Sequence, residues 1–162
     1  MLAIRDERPA DCAAVHRVVA SAFGRSTEAE LVDHLRVAGD TVISLVAEHE
    51  GLIVGHILLT KMHAAFPALA LAPVSVIPPS QRRGIGSALI AAGITRARSE
   101  GWTAVFVLGD PSFYQRFGFD VGAAAGFTSP YAGPHFMVLG LAPSFTATTG
   151  ELRHARAFAA LD

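Results

Sequence analysis

The sequence predicts an α+β protein: a mixed central sheet with helices on both faces. Three observations carry this. A short first strand is followed by two helix-like segments, with apolar residues at helical spacing. Two strand-like runs follow, joined by Glu50-Gly51, a dipeptide suited to a hairpin. A continuously apolar run, an alanine-rich helix and a β-branched run then succeed one another, the order of a strand–helix–strand unit.

Residues 1–5 read as a first strand. Pro9 and Asp11 suit a helix start, and Val15, Val18, Val19, Ala22 and Phe23 recur at helical spacing up to Gly24. Thr27 to Glu30 has the Thr-x-x-Glu form of a capping box and opens a second helix, with Leu31, Val32 and Leu35 on its apolar face and Gly39 as its stop. Residues 43–48 and 52–61 form the hairpin, with Gly55 marking a bulge. Residues 64–67 form a loop. Residues 69–77 contain no charge and read as a buried central strand. A helix runs from Gly84 to Ser99, with Ile85, Leu89 and Ala92 on one face and Gly101 at its end. Residues 104–108 form a strand. Asp110-Pro111 caps a short helix through Phe117. Residues 119–121 and 136–141 supply the last strands, with a loop over residues 122–134. Residues 151–161 are expected to form a terminal helix.

Composition narrows the class. The chain has 162 residues and reads as one domain, 1–162, with residues 143–162 as a C-terminal tail. Hydrophobic residues make up 51% and charged residues 17%, which excludes a disordered chain. A formal net charge of −1 argues against a broad nucleic-acid-binding surface. Low charge with high apolar content fits a homodimer. The single Cys12 excludes an internal disulfide and a multi-cysteine zinc site, and no metal is expected. Arg5, Asp6, Glu7 and Arg8 interrupt any N-terminal apolar run, and the apolar stretches are too short to span a membrane. The expected location is the cytoplasm, with no membrane partner.

The most informative segment is Val76-Ile77-Pro78-Pro79-Ser80-Gln81-Arg82-Arg83-Gly84-Ile85-Gly86-Ser87-Ala88-Leu89. An apolar strand ends at two prolines, and a polar turn then delivers Gly-x-Gly to a helix start. Backbone N–H groups there lack intrahelical partners and lie at the positive end of the helix dipole, which suits a phosphate anion. Arginine adds a bidentate grip. No carboxylate occurs from Gly84 until Glu100, so no side chain competes for that position. The amides of Arg83, Gly84, Ile85, Gly86 and Ser87 form the candidate cradle, helped by the side chains of Gln81, Arg82 and Arg83. A P-loop would need Gly-Lys-Ser/Thr, and no lysine follows. A dinucleotide fingerprint would need a third glycine where Leu89 stands.

Gln81-x-x-Gly84-x-Gly86 after a Val-x-Pro strand end resembles the acetyl-coenzyme A (acetyl-CoA) signature of the GNAT acyltransferases. Tyr114-Gln115-Arg116-Phe117-Gly118-Phe119 resembles the Tyr-x-x-x-Gly-Phe element after that family's fifth strand. With residues 105–111, the segment is similar to the YhbS-like subgroup of N-acetyltransferases. The resemblance implies a GNAT fold with strands four and five, residues 69–77 and 104–108, splayed apart around the pantetheine arm. It implies acetyl-CoA as acyl donor and a small-molecule primary amine, amino-acid-like, as acceptor. Acetylation of a protein or peptide amine is the alternative, and a non-catalytic CoA-binding module is a reading of another class.

The resemblance also assigns roles. Backbone groups of Val74 and Val76 place the thioester, and Tyr114 is the general acid to the CoA sulfur. A phenol with a reference pKa near 10 is protonated at neutral pH. Many members carry a glutamate on or near strand four, whereas residues 69–77 hold no acid. His63, just before that strand, is therefore the candidate base. His56, Glu28, Glu30 and a water chain remain open alternatives. Many members carry asparagine seven residues before the tyrosine. Val107 stands there, so Asp110 is read both as a helix cap and as a cofactor contact. Phe113 is read as packing on the cofactor side.

Overall fold

The computed structural model describes residues 1–161. Six strands form the main sheet in the order β1-β2-β3-β4-β5-β7. They are β1 (Leu2–Asp6), β2 (Thr41–His49), β3 (Leu52–Met62), β4 (Ala68–Val76), β5 (Ala104–Leu108) and β7 (Phe136–Gly140). The pairings are antiparallel except β4–β5, which is parallel. Helix α3 (Ile85–Ser99) makes that parallel crossover, as a strand–helix–strand unit requires. Two short strands, β6 (Phe127–Thr128) and β8 (Gly150–Glu151), pair apart from the main sheet.

Each face of the sheet is covered. On one, Ile85, Leu89, Ile90 and Ile94 of α3 pack on Ile43, Leu45, Ile57, Leu59, Leu69 and Val105. On the other, α1 (Cys12–Phe23) and α2 (Thr27–Ala38) bury Val15, Val19, Leu31 and Leu35 with Val46 and Leu58. The C-terminal segment continues that layer, and Leu152, Ala155 and Phe158 are buried. The hairpin turn has Glu50 at φ 52° and Gly51 at φ 78°, the two positive values of a type I′ turn. A β2–β3 register shift lies at residues 53–55, beside the expected bulge at Gly55.

Three expected elements differ. Helix α2 takes Ser26 as its cap residue, one position before the expected Thr27. The Ser26 carbonyl accepts from the Glu30 amide at 2.8 Å, and no side chain caps the helix. Residues 119–121 do not form a strand. Asp120 makes one bridge to Val138, and its carboxylate then accepts from the Ala123 amide at 2.7 Å to start the one-turn helix α5 (Val121–Ala124). A side chain that caps the next turn ends pairing there. Residues 151–161 are not an α-helix. Glu151 pairs with Thr128, Arg153 bridges to His63, and a 3₁₀ segment, Arg156–Leu161, closes the described chain. Long-range pairing outweighs local helix propensity in this segment.

Candidate functional site

The site begins where β4 and β5 stop pairing. Their register runs Ala68–Ala104, Leu69–Val105 and Ala70–Phe106, and no further pair follows. Across β3, Ile57 faces Val74 and Leu59 faces Leu71, so Ala72 and Pro73 together oppose Leu58. This bulge bends β4 away from β5. Residues 71–76 therefore present backbone groups with no strand on their β5 side. Such an unpaired edge can accept an extended ligand as an added strand.

The splay opens a cleft of about 390 Å³, walled by Leu71, Ala72, Pro73 and Val74 on one side and Val107, Leu108 and Tyr114 on the other. Val74 lines the cleft. Val76 packs half-buried on the core beside Gly86, where an added Cβ would lie 3.9 Å from Val76 Cγ2.

The turn after β4 leads to the start of α3. Arg82 has φ 64° and Gly84 has φ 81°. An arginine in the left-handed region is sparsely populated, and such residues cluster at ligand clamps. The first α3 bond of this end runs from the Ala88 amide to the Gly84 carbonyl at 3.0 Å, which leaves the amides of Ile85, Gly86 and Ser87 without intrahelical acceptors. No acidic residue lies in the first turn. Arg82 and Arg83 are exposed, whereas the Ile85 side chain is buried in the core, so only its backbone is available. Gln81 donates from Nε2 to the Val76 carbonyl at 2.9 Å and ties the turn to the strand end.

Tyr114 closes α4 (Pro111–Tyr114) and is 8% exposed. Its ring stands edge-on to Phe113 and Phe119, with centroids 5.1 and 5.7 Å away. Gly109 makes room for it, because a Cβ there would fall on the ring. Burial pushes the phenol pKa up, so the hydroxyl keeps its proton at neutral pH. Asp110 accepts from the Ser112 amide at 3.0 Å and hydroxyl at 2.8 Å, and these bonds hold its pKa down. It caps α4. Phe113 is half-buried beneath Arg116, whose guanidinium carbon lies 4.8 Å from the ring centroid.

Phe23, Glu28, Leu31, Tyr131, Phe136, His154 and Phe158 also line the cleft. Glu28, which the sequence leaves looking like a surface residue, is 7% exposed and is the one carboxylate among the described lining residues. Arg25 donates to both its oxygens, from Nε at 2.9 Å and Nη2 at 2.5 Å, and holds its pKa below the usual range. His154 gives no sequence signal, since it sits in an aperiodic tail. It is brought in by β8 and the His63–Arg153 bridge, and burial lowers its pKa to about 4.

The structure gathers Val74 and Tyr114 in the cleft, with the Gln81–Ser87 turn at the end of β4. It does not bring His63 there. His63 is exposed and shares a shallow depression with Glu151, Arg153, His154 and Arg156. His56 is fully buried on β3, 2.8 Å from the Ser44 hydroxyl. No cluster of histidine, cysteine, aspartate or glutamate suited to a metal occurs among the described residues. No helix among them is long and apolar enough to cross a membrane.

Comparison with known proteins gives a consistent result. Residues 10–119 match the acetyltransferase (GNAT) family. The uncharacterized N-acetyltransferase YjhQ of Escherichia coli K12 is 37% identical over 158 residues, covering 88% of this chain and 86% of YjhQ. The crystal structure of a GNAT family acetyltransferase from Brucella melitensis in complex with acetyl-CoA superposes with a TM-score of 0.84, at 33% identity and 98% coverage of both chains. That of Escherichia coli YhbS in complex with CoA superposes with a TM-score of 0.90, at 28% identity, covering 98% of this chain and 92% of YhbS.

Proposed function

Because this chain belongs to the GNAT acetyltransferase family, we propose that it transfers the acetyl group of acetyl-CoA to a primary amine of a small-molecule, amino-acid-like acceptor. The observation that carries the reading is the unpaired β4 edge, residues 71–76, ending at a carboxylate-free helix start and facing a buried tyrosine. In this reading the pantetheine arm runs along that edge, and the pyrophosphate lies on the amides of Gly84 to Ser87, with Arg82 and Arg83 beside it. Val74 and Val76 contribute backbone groups. An amide aimed at the thioester carbonyl acts as an oxyanion donor, worth roughly 3 kcal/mol in such sites.

The uncharged amine attacks the thioester carbon, the C–N bond forms and the C–S bond breaks. Tyr114 gives its proton to the departing sulfur. The surplus proton on the new amide nitrogen leaves and restores the phenol through solvent. Burial supports the acid role by keeping the phenol protonated. The acceptor's ammonium must first lose a proton. His154 lines the cleft, but the burial that lowers its pKa to about 4 disfavours its protonated form, so it is a poor acceptor for that proton. The sequence nominates His63 for that step, but the residue lies outside the cleft, so we assign the step to water in the open cleft.

The test is release of free CoA thiol from acetyl-CoA across a panel of primary amines, with and without acceptor. Acceptor-dependent release supports transfer. Tight acetyl-CoA binding without acceptor-dependent release would leave the non-catalytic CoA-binding reading in its place.

A further inference from the structure

We propose that the acceptor is a free α-amino acid with an apolar or aromatic side chain, its ammonium held by Glu28 and its carboxylate by Arg25. This rests on the transferase reading above and names its substrate class.

The acceptor half of the cleft has an unusual charge pattern. Apart from Glu28 and His154, its described walls are apolar or aromatic: Phe23, Leu31, Tyr131, Phe136 and Phe158. Into them Glu28 presents one nearly buried carboxylate. A carboxylate in an apolar cleft selects a cation. That carboxylate is already neutralised by Arg25, however, so a simple amine gains little net charge attraction there. A diamine or polyamine has no second acid to meet among the lining residues.

The pair is arranged to accept a zwitterion without breaking. Arg25 spends Nε and Nη2 on Glu28, which leaves the Nη1 and Nη2 hydrogens on its other edge, and a guanidinium can serve two carboxylates at once. Arg25 does not itself line the cleft but is tied to Glu28, which does, and its side chain is 63% exposed against 9% for Glu28. Each Glu28 oxygen accepts one bond from Arg25 and keeps acceptor capacity for an ammonium. An α-amino acid carries the two complementary charges as substituents of one common carbon. Its side chain then falls among the aromatic walls, and its nitrogen enters the cleft shared with Val74 and Tyr114.

The test compares L-phenylalanine with 2-phenylethylamine, and L-leucine with 3-methylbutylamine, by thiol release at saturating acetyl-CoA. We expect kcat/KM for each amino acid to exceed that of its matched amine by about tenfold or more, one decade being about 1.4 kcal/mol. Arg25→Gln should collapse that ratio to within about twofold, and Glu28→Gln should weaken the amino acids by about tenfold and the amines little, while acetyl-CoA affinity stays unchanged. Amines used as well as amino acids, a ratio indifferent to Arg25→Gln, or acetyl-CoA binding with turnover of neither class would each overturn the assignment. If acetyl-CoA itself does not bind in calorimetry, the transferase reading fails first and this inference falls with it.

Discussion

Replacing Gly109 by alanine tests how the tyrosine is held. A Cβ at this position would lie 3.0 Å from Tyr114 Cδ2 and 3.4 Å from Cζ, and closer still to Cε2. The ring cannot simply turn aside, because Phe113 and Phe119 stand edge-on to it. Overpacking of this kind costs about 1–3 kcal/mol. In a chain of this length that lowers Tm by roughly 3–10 °C. Thermal melting should show the loss, and kcat should fall while acetyl-CoA affinity holds, because Gly109 lies outside the Gln81–Ser87 turn. A double-variant cycle isolates the cause. In a Tyr114→Ala background the ring is gone, so Gly109→Ala should cost almost nothing further. An equal Tm loss in both backgrounds would refute the steric account, as would no loss in the first.

Three other outcomes are expected. Tyr114→Phe removes the hydroxyl of a cleft-lining residue and leaves the ring packing intact. It should lower kcat by about 10²-fold or more with little change in Tm, and an unchanged kcat would remove the acid role. Gly86→Leu has room for its Cβ, since Val76 Cγ2 would be 3.9 Å away. It should raise the acetyl-CoA KM about tenfold or more without unfolding the protein, and an unchanged KM would sink the cradle. Burial holds His56 near 3 and His154 near 4, whereas both return to about 6.5 in the unfolded chain. The unfolded chain then binds more protons, so stability is full above about pH 6.5 and falls as pH drops toward 4. Tm should decline from pH 7 to 5, and His154→Phe should remove about one proton from that dependence; an identical pH dependence in the variant would contradict the burial of His154.

Legibility in the sequence followed the range of the forces involved. The Glu50-Gly51 turn, the strand Ala104–Leu108 and the Asp110 cap are set by neighbours in the chain, and each stands where it was expected. So does the start of α3, where glycine permits the φ of 81° at Gly84. The tail escaped because its conformation is fixed by distant partners, Phe127, Thr128 and His63. His154 escaped with it, since nothing beside it in the chain marks it as part of a cleft. Glu28 has the local pattern of a surface helix residue, and only the fold of the α1–α2 turn over the cleft buries it. The missing acid on β4 was legible, but its consequence was not. The carboxylate and the imidazole that line the cleft, Glu28 and His154, come from α2 and the C-terminal segment, on the layer facing away from α3.

Calorimetric titration with acetyl-CoA, with ATP as the control phosphate ligand, tests the central claim most directly. The account predicts binding of acetyl-CoA at about micromolar Kd, near −8 kcal/mol. ATP should bind much more weakly, because it offers the phosphates but no pantetheine arm to lie along residues 71–76. Absence of acetyl-CoA binding, or equal binding of ATP, would contradict it.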